Sequence, residues 1–157
     1  MVYIGDLEER KKVYGICGEC NEPGTGDRWC QPCNAKRFKE NFENWTSGNK
    51  DIDELIQHSQ LNATYLYNCI EWIPYEKFQK VTYIAKGGFG KIYSAKWTEG
   101  NILSWDIENQ TWKRFPCQVA LKSLDNSSDM STDFLNEVIK IYTVSYFKKL
   151  LFIFTKN

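Results

Sequence analysis

Residues 84–97 read "IAKGGFGKIYSAKW", three glycines set between two runs rich in β-branched and aromatic side chains. Runs of this kind read as strands and the glycines as the turn that joins them. Two turns share the pattern: a plain glycine-rich hairpin, and a loop whose bare backbone amides can lie against a phosphate. The next such run, "QVALKSL" at 118–124, alternates as a further strand and sets Ala120 and Lys122 on one face with Gln118 and Leu124. A lysine on such a strand ordinarily faces water at a sheet edge.

Beyond that strand, Ser131 or Thr132 is placed to cap a helix that carries Phe134, Val138 and Ile141 on one face, with Glu137 among them. A carboxylate on a packing face is costly to desolvate unless a cation meets it. Lys122, on the strand just before, is a suitable cation. Removing one partner of a buried pair of this kind costs about 3–5 kcal/mol, so the two would be fixed in place.

Glycine loop, lysine and glutamate together resemble the start of a protein kinase domain, of the tyrosine-kinase-like or serine/threonine type. The family's G-x-G-x-x-G-x-V run corresponds to Ala85, Gly87, Gly90 and Ile92, with alanine in place of the first glycine and Phe89 at the tip. "VALK" at 119–122 is similar to V-A-I-K, and Glu137 in "FLNEV" matches the glutamate that pairs with that lysine. The resemblance implies an α+β fold, a kinase-like small lobe of antiparallel sheet plus one helix. It implies an ATP site built from Ile84, Ala85, Lys86, Gly87, Gly88, Phe89, Gly90, Lys91, Ile92, Ala120 and Lys122. In that site Ile92 and Ala120 would line the adenine, the amides of Gly87 to Gly90 would cover the phosphates, and Lys122 would touch the α and β phosphates. Magnesium and a protein substrate would join in a complete kinase. Alanine at position 85 narrows the backbone geometry open to the loop and would weaken nucleotide affinity without abolishing it. A four-cysteine segment ahead of such a start resembles the layout of some fungal kinases.

The family's catalytic base and magnesium ligands come from H-R-D and D-F-G, and neither string occurs here. Residues 78–140 are therefore expected to form a partial kinase domain, truncated before its catalytic half and unable to transfer phosphate alone. Residues 141–157 lose the pattern and read as an aberrant tail, as a truncation or a missed splice would leave.

Upstream, "CGECN" at 17–21 and "CQPCN" at 30–34 form C-x2-C-x9-C-x2-C. Two residues between thiolates let one tight turn aim both sulfurs at a single ion, so Cys17, Cys20, Cys30 and Cys33 supply the tetrahedral set that zinc accepts in structural sites. With four protein ligands no position is left for a catalytic water. The asparagine after each pair suits left-handed backbone geometry. Unliganded buried or redox-active thiols are the alternative. Residues 17–48 are too poor in aliphatic side chains to form a core, and zinc binding worth on the order of 10 kcal/mol would hold a zinc-ribbon-like module there.

The remaining segments follow from composition. Residues 1–16 read as a loose lead-in and 49–77 as a helical linker. In the linker, Ile52, Leu55, Ile56 and Leu61 predict a helix from Ile52 to Tyr67, capped by Asp51 with Glu54, before a turn at Pro74. The connection between the second and third strands is long enough for a small hairpin around Trp105 to Trp112. His58 reads as an exposed helix residue, and Cys69 and Cys117, lacking partners at ligand spacing, as simply buried. Twenty basic residues balance twenty acidic ones, so net charge gives no pull toward nucleic acid or an anionic membrane. The basic run "NAKRFKENF" is diluted by Glu40 and Glu43 and reads as a solvated helix face. No apolar run reaches the length of a signal-peptide core or a membrane span. Expected partners are thus a nucleotide and a protein substrate, in a cytoplasmic setting. Two other classes stay open: a non-catalytic zinc-containing interaction module and a zinc-ribbon nucleic-acid binder.

Overall fold

The computed structural model describes residues 5–87, 90–124 and 150–153. The chain divides into two units, Met1–Trp72 with Ile102–Arg114, and Ile73–Asn101 with Phe115–Asn157.

The first unit holds three helices, α1 (Leu7–Tyr14), α2 (Gln31–Glu40) and α3 (Lys50–Asn62). The first of these falls where the sequence reads as a loose lead-in. It buries no side chain, so it leaves no apolar period to detect, and its stability is polar. Asp6 caps it by accepting from the Glu9 amide at 2.8 Å, acidic residues fill its first turn and basic ones its last. Arg10 then ties it down, donating from Nε to the Gly24 carbonyl (2.9 Å) and from Nη2 to that of Pro23 (2.7 Å).

Helix α3 buries Ile52, Ile56 and Gln60, one face at four-residue spacing. Its cap is Asn49, not Asp51: the Asn49 carboxamide accepts from the amides of Asp51 and Ile52. The helix stops at Asn62, where Ala63 turns extended, and Leu66–Asn68 form a separate 3-10 turn instead of continuing to Tyr67. The core of this unit is aromatic. Trp29, Phe38, Ala63, Cys69 and Ile102 are buried together, with Trp112 packed against them. Trp112 stacks on Phe38 at 5.1 Å and on Trp29 at 5.9 Å, and the Trp29 indole donates to the Ala63 carbonyl at 2.7 Å.

Four strands form one sheet in the order β1 (Phe78–Gly87), β2 (Gly90–Asp106), β3 (Thr111–Leu124) and β4 (Leu150–Ile153). The first three are antiparallel. Strands β2 and β3 run unbroken through the stretch expected to be a loop with its own hairpin, and the hairpin's end, 102–114, belongs to the first unit. In β1 the pairing slips between Gln79 and Thr82, where Lys80 takes a positive φ of 53°. The second unit's core is Ala95 and Trp97 of β2 with Val119 and Leu121 of β3, flanked by Phe78 and Val81. Strand β4 runs parallel to β3, from Ala120 opposite Leu150 to Ser123 opposite Ile153. It falls within the segment that the sequence gives no regular pattern. The mixed α+β class agrees with the sequence. The expected helix with Glu137, and the loop residues Gly88 and Phe89, lie outside the described residues. No helix among the described residues is long and apolar enough to cross a membrane.

Candidate metal centre

Two different turns carry the cysteine pairs. The first is a small hairpin: Ile16 bridges Pro23, the Cys17 amide donates to the Glu22 carbonyl (2.9 Å), and the Asn21 amide returns to the Cys17 carbonyl (3.0 Å). Asn21 sits at φ 59°, the left-handed geometry its position calls for. The second pair sits at a helix start. Cys30 is the extended N-cap of α2, Cys33 lies in its first turn, and the preceding loop is fastened by Thr25, which donates from its amide to Trp29 and accepts the Gln31 amide on its hydroxyl at 3.0 Å. Asn34 therefore departs from the expectation drawn for both asparagines. It is helical, 3% exposed, and its carboxamide oxygen accepts from Arg37 at 2.7 Å.

The sulfurs converge. Cys17 Sγ lies 3.8 Å from Cys33 Sγ and Cys20 Sγ 3.6 Å from Cys30 Sγ, and all four fall within 4.8 Å of one another. Four sulfurs each about 2.3 Å from a central ion at tetrahedral angles would be about 3.8 Å apart. The closest approaches run between the two turns, so a single ion would bind them to each other. Cys30 is buried, Cys17 and Cys33 are half-buried, and Cys20 is open to water.

Burial raises the Cys30 thiol to about 11, and burial with the neighbouring cysteines pushes Cys33 higher still. At Cys17 burial acts the same way, but hydrogen bonds from the backbone at Cys20 and Glu19 outweigh it and lower the thiol. A divalent cation reverses this balance by taking the place of the protons, and the amino end of α2 adds partial positive charge beside the thiolates. The residues thus fit a closed, four-thiolate zinc site.

The hairpin end helps to enclose the cluster. Ser104, Trp105 and Ile107 line one hollow with Cys17 and Cys30, and a side chain at Gly18 would press on Ile107 Cδ1. Sequence reasoning placed these residues in the connection between the second and third strands, with a hairpin around Trp105 to Trp112, and not beside the cysteines; the two tryptophans of that connection were the available signal.

The residues of the expected nucleotide site occupy the second unit. Gly87 pairs with Gly90, which leaves a two-residue connection at 88–89. Ile84 is 57% exposed, Ala85, Lys86 and Lys91 are exposed, and Ile92 and Ala120 are half-buried. Lys122 does not face water at an edge: it is 6% exposed, on a strand flanked by β2 and β4. His58 is exposed on α3, Cys69 is buried, and Cys117 is half-buried with Asn101 donating to its sulfur at 3.4 Å. No family model, curated protein or solved structure matches the chain.

Proposed function

We propose that this chain is a zinc-stabilised module joined to the nucleotide-binding sheet of a protein-kinase-type small lobe. For the nucleotide the observation that carries the reading is the depth of Lys122, 6% exposed on an inner strand. Lysine is almost never held so far from water unless it is paired, and an anion is its natural partner. The kinase resemblance names those anions: the Glu137 carboxylate and the α and β phosphates of ATP, with the backbone at Gly87 to Gly90 over the phosphate chain. Phosphoryl transfer needs a base and magnesium ligands that these 157 residues do not carry, so the proposal is binding.

Titration of the full zinc-loaded chain with a fluorescent ATP analogue and magnesium should saturate. Lys122→Met should lose at least about tenfold in affinity, as expected for a lost charge-assisted contact to phosphate. Equal affinity in the variant, with its circular dichroism unchanged, overturns the nucleotide reading.

The zinc half is carried by the sulfur geometry. Metal analysis of chain purified under reducing conditions should find one zinc per chain and much less in Cys20→Ser. A reproducible absence of zinc overturns that half without touching the other.

A further inference from the structure

Four of the six tryptophans, Trp45, Trp72, Trp105 and Trp112, line a single cleft of about 510 Å³ in the first unit. That volume is in the range of small-ligand sites, roughly 300–1,000 Å³. Trp45 and Trp72 are half-buried and lie outside the buried core cluster, Trp45 reaching it through an edge-on contact with Phe42.

The charges of the cleft decide what it would hold. Arg37 and Arg114 both line it, and both are committed: Arg37 is paired with Glu19 and bonded to Asn34, and Arg114 is paired with Glu71 at 2.6 Å. Glu40 also lines it, and its ion-pair partner among the described residues is Lys36, 4.0 Å away with both side chains mostly in water. Such a pair is worth little. After these pairings the cleft keeps one weakly compensated carboxylate and two indoles, Trp45 and Trp72, outside the ring stack, since Trp112 stacks on Phe38 and Trp29 and Trp105 carries the Arg37 guanidinium. Indole faces attract cations, and one already does so here, with the Arg37 guanidinium 4.1 Å from the Trp105 ring centroid. An anion would find the guanidinium groups engaged and Glu40 repelling it.

We propose that this cleft binds a quaternary or N-methylated ammonium group. A plain ammonium is compact and strongly hydrated, and indoles cannot replace its water. Methylation weakens that hydration and supplies apolar surface for the tryptophans, while the charge stays for their faces and for Glu40.

The test is a calorimetric titration of the full zinc-loaded chain with choline, with a peptide bearing trimethyllysine, and with 3,3-dimethylbutanol, the neutral isostere of choline. Saturable binding of choline or of the peptide, with the isostere at least about tenfold weaker, supports the proposal, since a desolvated cation–π contact is worth about that factor. A peptide that binds more tightly than choline identifies the source as a modified lysine side chain; equal affinity identifies a free head group. Glu40→Gln and Trp45→Ala lie outside the core and should each weaken binding by about 3- to 30-fold. An isostere that binds as well as choline, variants that bind as well as the parent, or no saturable response to either cation overturns the proposal.

Discussion

Trp112→Ala is the substitution that most directly tests how the first unit is held together. Trp112 touches three other rings, Phe38 at 5.1 Å, Trp29 at 5.9 Å and Trp105 edge-on at 5.0 Å. Aromatic pairs contribute about 0.5–1.5 kcal/mol each beyond area burial, which gives about 1.5–4.5 kcal/mol for the three. Truncating a fully buried large aromatic costs about 3–5 kcal/mol, and Trp112 is half-buried, so about 3 kcal/mol is the expectation. That corresponds to roughly a hundredfold rise in the fraction of molecules with this core open. The Trp29 indole N–H, bonded to the Ala63 carbonyl, reports the opening through its hydrogen exchange. With zinc present, its exchange should accelerate by about a hundredfold in Trp112→Ala and by much less in Trp112→Phe, which keeps a ring. An acceleration of less than about fivefold, near 1 kcal/mol, would refute the claim that the hairpin end completes this core.

Three further outcomes follow from the same contacts. Zinc must displace protons from thiols that burial raises, Cys30 to about 11 and Cys33 beyond it, so affinity should rise with pH and fall as pH drops. Competition with a chelator should show a change of about a hundredfold or more per pH unit between pH 6 and 8, two or more protons being released, and a flat profile would exclude thiolate ligation. At the hairpin turn, hydrogen bonds from the side chain and backbone of Asn109 and from Lys113 hold the Asp106 carboxyl down at about 2. A depressed folded-state value stabilises the fold above the ordinary carboxylate range and is lost as pH falls through about 2. Asp106→Ala should therefore melt below the parent at pH 7, with the difference closing toward pH 2; a gap of the same size at both ends would assign the effect to something other than the charge. Gly100 holds φ at 73°, and a β-carbon there would run into the Phe115 carbonyl. Gly100→Ala should cost more than the roughly 1–2 kcal/mol of left-handed geometry alone, and an unchanged denaturation midpoint would contradict the hairpin geometry.

What could be read from the sequence was what is local. The cysteine cluster is two short turns at fixed spacing, and Asn21 shows how far a single residue type can announce its own backbone angle. Strands β1, β2 and β3 showed through their β-branched and aromatic content, but the continuity of β2 and β3 did not, because Gly100 and Pro116 look like breaks when their partners across the hairpin are unknown. The lead-in helix was invisible for the opposite reason. It has no buried face, and Arg10 holds it through carbonyls at Pro23 and Gly24, a contact with no periodic trace. The expected cap fell at Asp51 because Asp51 with Glu54 matches a capping box; in the structure Asn49 caps the helix, and Thr46 and Ser47 engage Asp53 in its first turn. The tryptophan-lined cleft draws on α2, Trp45, the end of α3, residues 71–72 and the hairpin end, and no window of sequence contains them all.

The cysteine segment and the hairpin end satisfy two separate requirements of one core. Zinc would fix the backbone at four points, yet it covers no apolar surface, and of the segment's four large aromatic residues, Trp29, Phe38, Phe42 and Trp45, only Trp29 and Phe38 are buried. Trp29 is 2% exposed in a cluster where Phe38 is the segment's own buried contribution and Ala63, Cys69, Ile102 and Trp112 come from outside the segment. Burying an aromatic side chain removes about 150–250 Å² from water, worth about 4–6 kcal/mol at 25 cal/mol per Å². A peptide of residues 17–48 keeps Phe38 but forgoes the part of that contribution that comes from outside the segment, while the zinc term of about 10 kcal/mol or more remains. Such a peptide should therefore take up one zinc with its Trp29 emission still characteristic of water and its indole proton unprotected, while the same proton in the full chain is protected. Protection of Trp29 in the zinc-loaded peptide would show that the segment closes its own core, and the role assigned to the hairpin end would fall.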